Sequence, residues 1–418
     1  MMALEGFADM GSGLPVPWLE APRSCRHYRP MNDALDTAAI DALLTDEFPS
    51  LDRHLYVNHA AISPWPRRVA DVVSTFASTN RDEGALRYPQ WLKTAAGLRE
   101  RAARMIGADS GGDIAMVANT TEGVDIVARG LPWRDGDNIV TVDGEFPTNR
   151  MAWERLAAVG VSLRSVDIRA TDDPEAELLA QVDERTRLMT VSAVQWTDGF
   201  RLDLARLGSG CRQAGAAFFV DAIQQLGALP IDVTACHIDF LACGGHKWLM
   251  APEGIGLFYI ARPWQERLVA ARAGWRMVER PYDMDSAAQS DATDARQFEP
   301  GTPNTMGQLA LDASLSLIEA IGAEEARRRV LANTQALVTG LEAMPSVRVL
   351  SPSAPERRSG IVLFEVPGRS AQALCGELGR HGVICAPRGG VRLSPHLYQG
   401  KAQMEQVLER VEQVAGGH

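Results

Sequence analysis

Two apolar runs in the middle of the chain, each followed by a chemically reactive side chain, most constrain the fold. The first run, residues 217–220, ends at Asp221, and the second, residues 238–242, leads through a glycine turn to Lys247. Apolar runs that lack regular polar alternation are typical of strands covered on both faces. Because ligands of open α/β sheets collect beyond the carboxyl ends of such strands, we expect both side chains to face one crevice.

The chain around these runs repeats a pattern of a short apolar strand followed by a helix-like segment. Seven candidate strands occur between residues 114 and 260: IAMVA, NIVTVD, SLRSVD, RLMTVS, AAFFVD, IDFLAC and GLFYI. This alternation predicts the α/β class with a mostly parallel seven-stranded sheet. Near Gly301 the pattern changes to two long helices and then to short strands and helices, which predicts a small α+β domain.

We therefore predict an N-terminal arm and helix in residues 1–50 that pack with the small domain. The large domain that carries the parallel sheet is predicted in residues 51–300, and the small domain in residues 301–418. A chain of 418 residues, 46% hydrophobic, is long enough for two domains.

Composition excludes several classes of partner and site. The net charge of −11 disfavours nucleic acid and anionic membrane surfaces as partners. The N-terminus lacks the positive charge of a signal peptide and no apolar run approaches about 18 residues, so we expect a cytoplasmic protein.

Six scattered cysteines are expected to be reduced. We predict no metal site, because the spacing of Cys236, His237, Cys243 and His246 does not suit zinc.

A lysine and an acid at neighbouring strand ends indicate pyridoxal phosphate chemistry. A lysine amine forms a Schiff base with an aldehyde, and an acid can protonate a pyridine nitrogen. Only three of the 42 basic residues are lysines, namely Lys93, Lys247 and Lys401. Guanidinium cannot replace an amine in this role, so the retained Lys247 is informative. The alternative is a surface lysine beside a glycine turn.

Two segments resemble the class V aminotransferase family, which includes cysteine desulfurases, kynureninase-like enzymes and isopenicillin N epimerase-like proteins. They are Asp-Ala-Ile-Gln from Asp221 to Gln224, and Gly-Gly-His-Lys-Trp-Leu-Met-Ala-Pro-Glu-Gly-Ile-Gly around Lys247. The resemblance implies a fold-type-I transferase in which Lys247 holds the cofactor as a Schiff base and moves the α-proton of an amino acid. It also implies that His246 helps to hold the cofactor phosphate, although Gly244 stands where the family has serine.

Two threonine segments are further candidates for phosphate contacts. Thr120 and Thr121 stand at a helix start, where free N–H groups favour an anion, and the family places a phosphate-binding threonine there. The alternative is that one of them is only the helix N-cap. In the family, a Gly-Thr-Pro segment reaches the neighbouring subunit's phosphate, so Thr302 implies a homodimer with shared active sites. Its alternative is a turn between domains.

Four more side chains are assigned to the cofactor or the substrate. Phe146 is placed to stack on the pyridine ring, where desulfurases of the family commonly have histidine; a core aromatic is the alternative. The amides of Gln195 and Gln224 can hydrogen-bond the cofactor O3′, or be solvent-facing loop residues. The resemblance implies that Arg392 binds the substrate carboxylate, which suits a guanidinium fork.

The reaction is the least determined feature. We expect an aminotransferase-type reaction first, with a cysteine desulfurase, a C–S lyase or an epimerase as alternatives and a non-catalytic scaffold as a distant one. A desulfurase would use Cys385 as its nucleophile. Only six residues separate Cys385 from Arg392, and the thiol follows an apolar run, which predicts a buried structural cysteine.

Overall fold

The computed structural model describes residues 35–49, 54–283 and 289–416, and the residues from 35 onward form one compact unit. The predicted arm, residues 1–34, lies outside the described residues. In chain order the strands are β1 (Leu55–Tyr56), β2 (Ile114–Val117), β3 (Asn138–Val142), β4 (Ser162–Val166), β5 (Thr186–Ser192), β6 (Ala217–Asp221), β7 (Phe240–Gly244), β8 (Gly256–Ile260), β9 (Arg348–Val349), β10 (Val362–Glu365), β11 (Val383–Ile384), β12 (Ala386–Pro387) and β13 (Val391–Leu393).

Most of the helices lie between these strands in the chain, and α9 and α10 below match the two long helices predicted after Gly301. In chain order they are α1 (Thr37–Glu47), α2 (Arg67–Glu83), α3 (Tyr88–Ile106), α4 (Thr120–Gly130), α5 (Thr148–Glu154), α6 (Pro174–Ala180), α7 (Leu204–Ala214), α8 (Arg262–Gln265), α9 (Thr305–Ile321), α10 (Ala323–Glu342), α11 (Ala371–Arg380) and α12 (Lys401–Ala415).

The large sheet contains all seven predicted strands, in the order β2-β8-β7-β6-β5-β3-β4. Only β8 runs antiparallel to its neighbours, so the mostly parallel α/β sheet is confirmed. Side chains alternate between two cores: Phe218 and Leu241 pack on one face, and Phe219 and Phe240 on the other. Burial on both faces explains why these strands are continuous apolar runs.

The smaller sheet is antiparallel, with the order β12-β13-β10-β9, and it has its own core. Beside it, β1 pairs in parallel with β11, and Asn58 forms a bridge with Ser394. The chain just before the large sheet is therefore joined to the C-terminal strands. The domain boundaries at residues 50 and 300 stay a prediction.

The carboxyl ends of the parallel strands lie side by side at one edge of the large sheet, as the sequence predicts. Ser192 at the end of β5 is in register with Asp221 at the end of β6, which is in register with Ala242 of β7. Residues that follow these strands therefore meet at one edge of the sheet. No helix in the described ranges has the length and apolar character needed to cross a membrane.

Candidate active site

Lys247 lies three residues beyond β7 and is largely buried. Within the described ranges its amine has no hydrogen bond and no ion pair. Burial lowers the pKa of the amine to about 8, with Arg392 adding to the effect and Asp221 opposing it. A lysine without a partner is therefore partly neutral near physiological pH, which is the form that attacks an aldehyde.

Asp221 is the last residue of β6 and only 3% exposed. Its Oδ1 accepts a 2.9 Å hydrogen bond from the Ile223 N–H, and its Oδ2 accepts one of 2.9 Å from Asn149 Nδ2. Burial raises the pKa of Asp221 to about 6; the Ile223 N–H opposes this and the charge of Glu145 reinforces it. The acid is thus oriented by the protein and would gain from a cationic partner.

Glu145 is a buried carboxylate beside Asp221 that the sequence analysis did not assign. Its Oε1 accepts from the Ser192 N–H at 2.7 Å and from Gln195 Nε2 at 3.1 Å, and the Ser192 hydroxyl donates to its Oε2 at 2.5 Å. These bonds orient the Gln195 amide so that its nitrogen donates to Glu145. Gln195 Oε1 is buried and has no partner within the described residues.

Phe146 presents a partly exposed ring next to the amine of Lys247. The ring is 41% exposed, and the Lys247 Nζ lies 5.7 Å from its centroid. Trp196 packs against it edge to face at 5.6 Å and donates a 3.1 Å hydrogen bond to the Gly144 carbonyl. The ring is therefore held beside the amine rather than in the core, as stacking on a cofactor requires.

Arg392 reaches the same region from β13 and is only 2% exposed. Its Nη1 donates a 2.6 Å hydrogen bond to the Trp196 carbonyl, while its Nε is buried without a partner. No acidic residue of the described ranges pairs with it, and burial lowers its pKa to about 10, with a further contribution from Arg388. A buried cation without an anion is costly, so this guanidinium is suited to receive one.

The start of α4 lies against the glycine turn that precedes Lys247. Thr120 Oγ1 accepts a 3.0 Å hydrogen bond from the Gly244 N–H, and the hydroxyls of Thr121 and Thr148 are 2.9 Å apart. The N-cap is Asn119, whose side chain accepts from the Glu122 N–H. The interpretation of Thr120 or Thr121 as the N-cap is therefore wrong, and both hydroxyls stand at a helix start suited to an anion.

Of the other three predicted contacts, one lies beside Lys247, one is bonded to residues outside the site, and one is on the surface. His246 is half-buried, and burial together with Lys247 lowers its pKa. Gln224 is directed elsewhere: it donates to the Ala60 carbonyl at 3.0 Å and accepts from Trp248 Nε1 at 2.9 Å. Thr302 is exposed on the segment before α9, and its approach to a phosphate stays a prediction.

The structure thus brings Asp221, Lys247, Phe146, Gln195 and Arg392 to one edge of the large sheet. The residues that hold them were not predicted from the sequence; they are Glu145, Asn149, Ser192, Trp196 and Thr148. A signal was present, since each of these follows or ends strand β3 or β5 at the same edge as Asp221.

These residues fit pyridoxal phosphate by chemistry. They supply an amine with no partner among the described residues, a buried acid, an accessible ring and a hydroxyl-bearing helix start for a phosphate. Three buried polar atoms around them have no partner within the described residues, namely Gln195 Oε1, Asn149 Oδ1 and Arg392 Nε. Buried polar groups are normally satisfied, so such atoms are consistent with a bound polar group.

Comparison of this chain with known proteins identifies similarity to one protein family. The family model for class V aminotransferases matches residues 55–405. A probable cysteine desulfurase from Methanothermobacter thermautotrophicus is 29% identical over 394 residues, which cover 88% of this chain and 97% of that protein.

Two solved structures of C-DES share the fold. A C-DES mutant with glycine covalently linked to its PLP cofactor superimposes with a TM-score of 0.82 at 26% identity, covering 88% of this chain and 98% of that one. The cystine C–S lyase C-DES with its product cysteine persulfide gives 0.81 at 26% identity, covering 87% and 99%. These proteins are named for carbon–sulfur chemistry, so the aminotransferase-type reaction expected from the sequence is not confirmed.

Proposed function

Because the chain belongs to the class V aminotransferase family and its cofactor is pyridoxal 5′-phosphate, we propose that it cleaves the carbon–sulfur bond of a sulfur-containing amino acid. The observation that carries the proposal is the buried pair of cations, Lys247 and Arg392, neither of which has an acidic side chain bound to it in the described ranges. An amino acid supplies the missing carboxylate. The names of the relatives favour carbon–sulfur cleavage over transamination.

Most of the predicted cofactor contacts have a definite task in this proposal. When bound, the cofactor supplies an aldehyde that condenses with amines and a ring that stabilises negative charge at Cα. Lys247 provides the amine, and Asp221 pairs with the ring nitrogen. Phe146 covers one face of the ring, and Thr120 and Thr121 hold the phosphate at the start of α4. His246 and Gln195 complete the candidate contacts.

The substrate is oriented by Arg392 and deprotonated by Lys247. The guanidinium fork of Arg392 binds the α-carboxylate through two parallel hydrogen bonds, for which its Nε is available. The amine of Lys247, with a pKa of about 8, can take the proton from Cα and pass it to the departing sulfur. The sulfur then leaves Cβ as a thiol or, from cystine, as cysteine persulfide, and water releases pyruvate and ammonia.

The position of Cys385 favours this elimination over sulfur transfer to the protein. Ala386, the next residue, pairs with Arg392, and successive side chains of an extended segment point to opposite sides. The Cys385 thiol instead hydrogen-bonds to Cys375 and packs against the core of the small sheet. That hydrogen bond and burial raise its pKa, so the thiolate that attacks sulfur is disfavoured.

The test compares Cys385→Ser with Cys375→Ser as a matched control. We expect both variants to release pyruvate from cystine at most of the parent rate, because neither thiol takes part. Pyruvate, sulfide and persulfide would be quantified, and the protein searched for a persulfide by mass spectrometry.

Cysteine desulfurase activity is the second candidate, favoured by the name of the M. thermautotrophicus relative. Loss of sulfur release from cysteine in Cys385→Ser, but not in Cys375→Ser, would establish it in place of the lyase. Amino-group transfer to an added 2-oxo acid, without pyruvate or sulfur products, would restore the aminotransferase-type reaction.

The proposal includes a homodimer with shared active sites. An exposed aromatic cluster lies near the Thr302 segment: Trp275, 40% exposed, packs on Tyr282, 45% exposed, whose hydroxyl is 3.4 Å from that of Tyr88. Arg276 Nη1 donates to the Gly301 carbonyl and joins the two segments. Exposed aromatics are enriched at interfaces, so a second copy that covers this cluster would bring Thr302 to its neighbour's phosphate.

A further inference from the structure

Glu145 is a buried acid that has no cation to balance it among the described residues. It lies between β3 and α5, is 5% exposed, and accepts hydrogen bonds only from neutral donors of Ser192, Gln195 and Asn149. An isolated buried carboxylate is expensive to retain in a protein interior. Anchoring the end of β5 does not require a charge, because a neutral acceptor would serve.

Asn149 connects this acid to Asp221. Its Nδ2 lies 2.9 Å from Asp221 Oδ2, 3.4 Å from Glu145 Oε2 and 3.0 Å from the Ser192 hydroxyl. The side chain is completely buried. One amide nitrogen is thus shared by two carboxylates, which places their negative charges next to each other at the end of the sheet.

We propose that Glu145 is a positioning residue that acts through Asn149: it fixes Asp221 and adds a second negative charge behind it, so that the two carboxylates together hold the cofactor's ring nitrogen in its protonated form. The protonated ring is the better electron sink. The proposal holds whichever bond of the substrate is broken, and so does not depend on carbon–sulfur cleavage.

The charges that act on Asp221 support this assignment. Burial has the largest effect and raises the pKa of Asp221, and the charge of Glu145, from the segment before α5, raises it further. The Ile223 N–H, the Asn149 amide and the charge of Lys247, from the segment after β7, oppose that rise. The Cys243 thiol of β7 is also close, and burial raises its pKa so that it is neutral. In the protein without cofactor the two carboxylates, which share the Asn149 amide, repel each other. A cationic ring nitrogen relieves that repulsion, and each unit of pKa gained corresponds to a tenfold change in the protonated fraction.

The test follows the protonation of the ring nitrogen in the holoenzyme, with cofactor labelled with ¹⁵N in its ring, by NMR as a function of pH. We expect Glu145→Gln to lower the pH at which the nitrogen loses its proton by about one unit or more. Glu145→Asp, which keeps the charge, and Ser192→Ala, which removes a neutral donor, should stay close to the parent. An unchanged midpoint in Glu145→Gln overturns the proposal and leaves Glu145 a structural anchor.

A second measurement does not need that variant to fold. In the cofactor-free parent, labelled aspartate carboxyl carbons would report the titration of Asp221, assigned with Asp221→Asn. We expect a midpoint near 6. A midpoint at the ordinary aspartate value would show that neither burial nor the charge of Glu145 raises the pKa of Asp221, and would overturn the proposal.

Discussion

At the scale of single residues, the chemistry depends on side chains that the fold leaves without partners. Many charged side chains of the described residues form ion pairs, as Glu175 does with Arg357, so that neither charge is buried without a partner. Lys247 and Arg392 differ, because each is buried beside a carbonyl or a ring and has no carboxylate bound to it within the described residues. Arg392 is therefore suited to an anionic ligand, and Lys247 to condensation with an aldehyde.

Lys247→Ala is expected to fold, to retain no borohydride-stable link to the cofactor and to lose turnover, because no other lysine stands at the site. Lys401→Ala, at an exposed helix start, is the matched control and should behave like the parent. The check is mass spectrometry of tryptic peptides after borohydride treatment. Cofactor attached to Lys93 or Lys401 would contradict the assignment.

The same amine predicts a pH dependence. Its pKa is about 8 rather than 10.5, and only the neutral form attacks an aldehyde. The rate at which cofactor-free protein takes up pyridoxal phosphate should therefore rise with pH through a midpoint near 8. Stopped-flow absorbance would measure it. A rate that keeps rising toward pH 10 would show that burial does not lower the pKa of the amine.

The sequence predicts some of these residues and not others for physical reasons. Lys247 and Asp221 follow strands whose apolar runs are unmistakable, so their place at the sheet edge follows from chain order. Gln224 has the same kind of position, yet its amide is taken by the Ala60 carbonyl and Trp248, contacts made by distant segments. Glu145 and Asn149 look like loop polar residues until β5 and β6 are brought beside them.

At the scale of elements, two buried histidines join β1, the Lys247 segment and the segment after β13. His59 donates from Nδ1 to the Ser394 carbonyl at 2.8 Å and accepts at Nε2 from the Tyr398 hydroxyl at 2.6 Å. His396 donates from Nε2 to the Trp248 carbonyl at 3.0 Å and accepts the Leu397 N–H at Nδ1. Both rings are thus satisfied only as neutral tautomers, and protonation removes an acceptor from each.

This junction predicts a loss of stability in mild acid. Burial lowers the pKa of His396 to about 4, and burial and His396 lower that of His59. The unfolded chain binds more protons below pH 6.5, so stability falls as the pH drops from 6.5 toward 4, by about 3 kcal/mol for His396 alone. Urea unfolding at several pH values would measure it. Between pH 6.5 and 4, the free energy of unfolding of His396→Gln should fall less than that of the parent. That of His381→Gln, changed at an exposed site, should fall as much as that of the parent.

At the scale of the whole molecule, the site is assembled from distant parts of the chain. Arg392 belongs to the small sheet, but its guanidinium is held by the Trp196 carbonyl beyond the large sheet. The Ala60 N–H donates to Ser394 Oγ just after β13, and the Ala60 carbonyl accepts from Gln224 just after β6, so this segment contacts residues next to both sheets. Periodicity predicts the two sheets separately, but it contains no information on how they meet. The place of Arg392 therefore came from a family resemblance rather than from a pattern of apolar residues.

The last prediction concerns the second copy of the chain. Light scattering should give twice 45.4 kDa, and Trp275→Glu with Tyr282→Glu should yield a monomer with weakened cofactor binding, because a charge is buried poorly at an interface. Val159→Glu, at a residue that is 54% exposed and lies outside the aromatic cluster, is the control and should stay dimeric.

Thr302→Val should remain a dimer but bind the cofactor about tenfold more weakly, since it loses one hydrogen bond to a charged phosphate. A cofactor-loaded, active monomer of the parent chain would rule out shared sites, and Thr302 would then be a turn residue.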